Sequence, residues 1–592
     1  MEFAPIICLN AGILRKPTFI ALLTLTFVTS CASVPDVETT AAAPVEQADE
    51  LEVKEPEPPA RPFELQTLYS LLVADIAAQR NRYDVALRNY LRQAAKTEDA
   101  GIARHATALA ELLRAEAVAL RASELWAKAA PGDSDALRSA AIHQARARDL
   151  DRAMAHMVGA MELGGSTQFT QLAGSASNLT HSRKQEVLTQ MQGLIERHPK
   201  NSDLWLGVAT LEDSLGNTDA ALLSVRESLK LDEHAANRGR VSALITESQL
   251  LEKLNRSDEA ISGIKKALAK DEDNKRLHLQ YARLLTRSDM PRAEQEFERL
   301  VAKHPSDFEL KFTLALVYRE NQKLAEAKDL LDTLLELDPE NASVHYYLGL
   351  VQEDRELIDE ALVHYANVTP GRVFIPAQAR YAQLLSERDQ LDDAMTHLDD
   401  LAVKYPAQAV DLKLLSANTL TSHGELDRSY DLLTESLESN PDNTELLYAR
   451  SMLSEKRKDL NGAESDLRQL LSVEPDNAAA LNALGYSLTV NTKRFDEALV
   501  LIQKAITLKP NDPAIIDSLG WVHFKRGDLD EALVHLQKAY QMFPDPEVAA
   551  HLGEALWVAG RQDQAKEIWR KAIEAEPDNQ FMKDIIERFG QP

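Results

Sequence analysis

Residue types that do chemistry occur throughout the 592-residue chain, but their spacing is seldom that of a reaction centre. Ser262 and Lys265, in "SGIK", keep a serine-x-x-lysine spacing. At that spacing on a helix a lysine amine can take the proton of a hydroxyl one turn away, as some acyl-transfer enzymes require. Here the pair falls on the second helix of a repeat, and coincidence is the simpler reading. Asp392–Asp393 and Asp399–Asp400 place carboxylates close together, as acid/base pairs do, yet their setting is that of a solvated helix face. The 15 histidines are scattered and do not stand at ligand spacing from Cys, Asp or Glu. No HExxH, GxSxG, GxGxxG or P-loop occurs. The sequence offers no catalytic centre, no metal site and no cofactor site.

The remaining reactive group is a thiol. Arg15 and Lys16 precede an apolar or hydroxylated run from Phe19 to Val28, which ends in "VTSC" at Cys31. About 20 residues are needed to span a bilayer, so this run is too short. It reads as a signal peptide over residues 1–30. Val28, Thr29, Ser30 and Cys31 resemble a bacterial lipobox, and the resemblance implies that Cys31 is lipidated and becomes the first mature residue. The alternative is an ordinary signal peptide with an incidental cysteine. Two or more acyl chains anchor a protein stably where one does not. Ala32 after the cysteine, in place of Asp, implies by the same resemblance sorting to the outer membrane, with the body on its periplasmic face.

Residues 31–62 carry Pro, Ala, Thr and Glu, with no aromatic residue up to Arg61 and with Lys54 as the lone basic residue before it. Such a segment cannot bury enough surface to offset ordering and is read as a disordered acidic tether. The whole chain has a net charge of −27, which disfavours nucleic acid and adhesion to anionic lipid. Membrane contact is therefore expected through the lipid anchor alone.

What must position any functional surface is a repeat. Gly485, Gly520 and Gly553 recur at steps of 35 and 33 residues, and Ala498, Ala532 and Ala565 at 34 and 33. Pro510, Pro544 and Pro577 follow the same rhythm. A period near 34 with these small residues and a closing proline is the tetratricopeptide repeat (TPR) pattern, two antiparallel helices per unit. Small residues let the two helices approach, and proline ends the second helix. Less perfect copies carry Ala315 and Ala327, Gly349 and Ala361, Ala382 and Ala394, and further forward Ala74 and Ala86; Ser429 replaces a usual Ala. The expectation is an all-α superhelical solenoid of about 11–15 helix-turn-helix repeats. TPR-like repeats are assigned to residues 63–163, a degenerate repeat to 164–202, the main solenoid to 203–580 and a C-terminal cap to 581–592.

Two surfaces follow as candidates for partner binding. Positions 2, 5, 9, 12 and 13 of each first helix face the concave side of a TPR stack. These positions hold Tyr486, Asp517, Trp521, Phe524, Lys525 and Trp557 in the strongest repeats, with Phe312 and Tyr346 at position 5 of earlier ones and Arg319 and Glu353 at position 12. Large aromatics beside charges suit a protein-binding groove; the alternative is packing between adjacent first helices. Trp521, Phe524 and Trp557 are expected to line one patch. The second surface is the stripe Phe63, Leu65, Leu68, Leu72 and Ile76, close to i, i+3, i+4 spacing and with no repeat before it. An uncovered stripe there is either a cap contact or a binding helix.

Taken in order, the lipobox, the acidic Pro-rich segment, "FELQTLYSLLVADIAAQRNRYDVALRNYLRQA" and the closing "NALGY", "DSLGW" and "FPDPEVAAHLGEALWVAGRQDQAKEIW" resemble the large outer-membrane TPR lipoproteins of gammaproteobacteria. Within them the likeness is greatest to those that partner the carboxy-terminal processing protease in pseudomonads. The resemblance implies a non-enzymatic adaptor that holds and activates that periplasmic serine protease. It also implies delivery of cell-wall hydrolases as substrates. The sequence departs from the ideal repeat at Gly164–Ser202 and at Glu272, where a proline is absent. The competing reading is a structural TPR lipoprotein of an envelope export or assembly machine, for polysaccharide secretion, pilus or outer-membrane assembly.

Overall fold

The computed structural model describes residues 64–232 and 238–589. Cys31, Phe63 and the segments read from sequence as a signal peptide and an acidic tether lie outside the described residues. The described residues hold 31 α-helices and one 3-10 turn, Pro406–Gln408, and no strand. In chain order these are fifteen helix pairs and a final helix, Gln580–Phe589. They fall into two compact units, 64–317 and 318–589.

The repeat builds its own helix ends. A proline just past most second helices stops the ladder, and in many pairs an Asn or Asp shortly after it starts the next first helix. Asn341, Asn443 and Asn477 each accept a hydrogen bond from the backbone N–H three residues on, at 3.1, 2.9 and 3.0 Å. Caps of this kind contribute about 1 kcal/mol each. The turn inside most pairs holds a residue at positive φ. Gly527, at φ 91°, adopts it without a Cβ clash. Asn81, Arg114, Arg148, Asn255, Gln322, Glu356, Asp389 and Lys458 adopt the same conformation in other pairs.

Close approach within a pair rests on the small residues. A Cβ on Gly520 would stand 2.7 Å from Leu536 Cγ, and one on Gly485 2.5 Å from Ile502 Cγ1. On Gly553 it would fall 2.8 Å from Trp569 Cδ1 and nearer still to Nε1. Ala498, Ala532 and Ala565, the partners on the second helices, are fully buried. Ser429 is fully buried too, and its hydroxyl donates to Ala417 O at 2.9 Å.

Between residues 164 and 202 lie a short helix, Phe169–Ala176, and a regular 17-residue one, His181–Arg197. Phe169 is fully buried, and its backbone sits where a Cβ on Gly207 of the following Ser202–Ser214 helix would meet it at 3.1 Å. The short helix thus packs mainly on the next pair's first helix. At the other end, the final helix covers the last pair: Met582 and Ile585 are buried, and Phe589 stacks on Trp569 at 5.4 Å.

The chemical candidates sit on surfaces. Ser262 and Lys265 are exposed on the Ser257–Leu268 helix. The four aspartates are exposed on Leu391–Lys404, where Asp392 pairs with Arg428 and Asp399 with Lys413. Among the described residues no group of three His, Cys, Asp or Glu side chains could hold a metal ion, and no helix is long and apolar enough to cross a membrane.

Candidate protein-binding surfaces

The first surface is one face of the first helix, Leu65–Gln79. Its small residues Ala74 and Ala77, with Thr67, are buried against the following helices. The opposite face is apolar and open. Leu65 is 84% exposed and Leu72 55%, and Leu68, Tyr69 and Ile76 are exposed as well. Comparison with an interior repeat shows why. Aligning Ala74 with Gly520 puts Tyr69, Leu72 and Ile76 at the places of Ile515, Ser518 and Val522. Those three are buried, Ile515 and Val522 in the core that the preceding Phe495–Leu508 helix shares. The first helix has no such helix described over it. Around the stripe, Glu64 pairs with Lys96 at 2.6 Å, which holds its carboxyl below the usual range, and Tyr90 donates to Asp75. Tyr69 was not among the residues singled out from sequence, although it continues the i, i+4 rhythm from Leu65.

The second surface is the inner side of the last three pairs. Their first helices, Ala478–Asn491, Pro513–Arg526 and Pro546–Val558, lie side by side within the unit 318–589. The sequence-derived residues gather there but do not stand open. Trp521 is only 5% exposed, and Tyr486 and Asp517 are equally buried. The Trp521 ring stacks on His551 at 3.9 Å and on Phe524 at 5.0 Å, and Lys525 Nζ sits 4.3 Å from its centre. His551 Nδ1 lies 2.8 Å from Asp517 Oδ2. Tyr486 donates its hydroxyl proton to Glu547, 61 residues away, reaching past the helix between them. Trp557 belongs to a different aromatic set, stacked on Trp569 at 5.8 Å and tilted against Phe589 at 5.6 Å. Trp521 and Trp557 thus stand in two ring stacks, Phe524 and Trp557 pack against one core of the last two pairs, and the stack around Trp521 is filled by the chain's own side chains.

Electrostatics follow from that burial. Burial pushes the Glu547 carboxyl up to about 7. Burial opposes charge on His551, but Asp517, with Glu547 and Glu554, outweighs it and raises its pKa. Burial lowers Lys525 and raises Tyr486, the latter helped by Glu547. Asp517 Oδ1, Trp521 Nε1 and Asn482 Oδ1 are buried without a hydrogen-bond partner among the described residues. Sequence reasoning passed over Glu547 and His551. His551 stands 34 residues from Asp517, one beyond the 33-residue step from Gly520 to Gly553, so it falls outside the groove positions; Glu547 stands at position 2, a groove position.

The remaining candidates are separate. Phe312 is half-buried and stacks on Phe308 at 6.5 Å. Tyr346 is half-buried against Tyr347 and Tyr365, and burial raises its pKa. Near it Glu353 pairs with Arg380 and accepts from Tyr365 at 2.8 Å, and Arg319 pairs with Asp354 at 2.5 Å.

Comparison with known proteins agrees with this architecture. A family model described as tetratricopeptide repeat matches residues 284–350 and 523–583, and a second of the same description matches 245–308 and 448–513. The chain is 40% identical over 537 residues to the TPR repeat-containing protein PA4667 of Pseudomonas aeruginosa, covering 90% of each chain. It is 21% identical over 276 residues to mitochondrial import receptor subunit TOM70 of Mus musculus, covering 44% of this chain and 39% of that one. Among solved structures, the APC/C hetero-tetramer Cut9-Hcn1 aligns with a TM-score of 0.29 at 14% identity, over 83% of this chain and 97% of that one. With its paired helices, small-residue contacts and the Pseudomonas aeruginosa relative matched along nine-tenths of its length, the chain belongs to the family of tetratricopeptide repeat-containing proteins.

Proposed function

We propose that this TPR protein is a periplasmic scaffold, lipid-anchored to the outer membrane through Cys31. In this reading it binds and activates a carboxy-terminal processing serine protease and presents peptidoglycan hydrolases to it. The observation that carries the proposal is the open apolar face of the first helix. Covering a half-exposed leucine contributes on the order of 1 kcal/mol, so the stripe as a whole supports docking of a partner helix or groove. The likeness to a pseudomonad TPR protein supports the reading, because the sequence features resemble lipoproteins of that bacterial group. Holding enzyme and substrate on one scaffold raises their effective concentration and restricts their orientation without new chemistry.

The test is capture of purified carboxy-terminal processing protease by the mature chain carrying Leu68→Glu and Leu72→Glu, beside a deletion of residues 63–76. Loss of capture by at least tenfold with circular dichroism otherwise unchanged is the expected result. Unchanged capture refutes the docking role. Collapse of the fold on deletion identifies the first helix as a cap instead. Recovery of a β-barrel or pilin-type partner in place of a protease favours the export-machine reading.

A further inference from the structure

The contacts on the inner side of the last three pairs link more than neighbours. Tyr486 and Glu547 join two first helices across the one between them, and Asp517, Trp521 and His551 join the middle helix to the last. These contacts cover the face that a TPR stack ordinarily offers to partners. On the same helices Asn482 Oδ1, Asp517 Oδ1 and Trp521 Nε1 are buried without a partner among the described residues. Buried polar atoms left unmatched make a closed state less favourable than its contacts suggest. We propose that Tyr486–Glu547 and Asp517–His551 form a proton-dependent latch that holds this inner face closed in mild acid and releases it in mild alkali. Release uncovers Tyr486, Trp521 and the unmatched polar atoms as a groove.

The charges around the latch decide its direction. Facing Glu547 and His551 are Tyr486 from Ala478–Asn491 and Asp517 from Pro513–Arg526, while Lys525 of the latter helix sits over the Trp521 ring that stacks on His551. Asp545 and Glu554 come from the last pair's own first helix and its cap, and Glu576 follows the Gln562–Ala575 helix. Glu455, on Thr444–Lys456, acts on Tyr486. Of the cations, Lys525 is partly buried and Arg588 is paired with Glu554. In mild acid Glu547 is neutral and Asp517 faces a charged His551, so the buried set is balanced. In mild alkali Glu547 is ionised and adds a buried carboxylate beside that of Asp517, and loss of the His551 proton as pH climbs through its raised value weakens the compensation further.

The sign is the same for both groups. Burial raises Glu547 from 4.5 to about 7, so the closed state holds its proton more tightly and loses stability as pH rises from 4.5 to 7. His551 is also raised, so its contribution is complete below its ordinary value of 6.5 and is lost as pH rises through the raised one. From Glu547 alone, with the open form titrating at 4.5, linkage gives an opening constant about 30-fold larger at pH 8 than at pH 5.5.

Hydrogen exchange on the full mature chain tests this, with intrinsic exchange rates removed. Protection of the Ala478–Asn491 and Pro546–Val558 helices should fall by about 30-fold or more between pH 5.5 and 8. Glu547→Gln, which fixes the neutral shape, should remove most of that fall, and adding His551→Asn should flatten the remainder. An equal fall in Glu547→Gln and the wild type overturns the proposal. So does a wild-type profile that is flat or rises with pH, a result that needs no variant to fold.

Discussion

Substituting Gly553 by alanine asks whether the approach of paired helices is as tight as the structure describes. Two effects oppose each other. Alanine in place of glycine within a helix gains about 1 kcal/mol from propensity. Against this, the new methyl enters the Trp569 indole, with Cδ1 2.8 Å away and Nε1 nearer. Trp569 is fully buried and stacked against Trp557 and Phe589, so the ring has no free rotamer to adopt. Overpacking against a ring held in this way lies at the upper end of its usual range, about 3 kcal/mol. The net expectation is a loss of about 2 kcal/mol, read as a lower midpoint in urea for the C-terminal unit. Gly263→Ala is the matched control: nothing lies within 4 Å of its Cβ in the Ser257–Leu268 helix, so it should stabilise by about 0.5–1 kcal/mol. Trp569→Leu in the Gly553→Ala background should recover part of the loss, giving a coupling energy on the order of 1 kcal/mol. If Gly553→Ala stabilises as much as Gly263→Ala, the packing argument is wrong.

Trp521→Ala should destabilise by about 3–5 kcal/mol, as a buried aromatic does, and the melting temperature will record it; a normal melt with weakened partner capture would instead make Trp521 an exposed anchor. Arg114, at φ 53° in the turn of its pair, is exposed, and Arg114→Gly should stabilise by about 0.5–1 kcal/mol in chemical denaturation. Cys31→Ser should leave the chain unprocessed or free of the outer-membrane fraction, and a mature, membrane-bound mutant would rule out lipidation at this position.

The repeat was legible where the small residues mark it. Gly485, Gly520 and Gly553 with Ala498, Ala532 and Ala565 carry the helix contacts, and their steps near 34 revealed the pairing. The signal weakens where other chemistry fills the same place. Ser429 does the work of an alanine by turning its hydroxyl onto Ala417 O. Arg114, Glu356 and Lys458 occupy the positive-φ turn without the glycine that announces it. The open stripe of the first helix was readable because its rhythm is local and nothing of the repeat precedes it. The burial of Trp521 was not, since it depends on how nearly one first helix approaches the next. A bond such as Tyr486–Glu547, between residues 61 apart, leaves no periodic trace.

That bond also bears on how the chain comes apart. In a repeat array each unit ordinarily touches only its neighbours, so stability is a sum of unit terms and adjacent interfaces, and ends can fray one unit at a time. A hydrogen bond from Tyr486 to Glu547 adds a next-nearest-neighbour coupling to that one-dimensional lattice. Peeling of the last pair then also breaks its bond to the thirteenth, which adds about 1 kcal/mol to that step. The coupling biases these three repeats toward opening together, where a simple stack would fray one pair at a time.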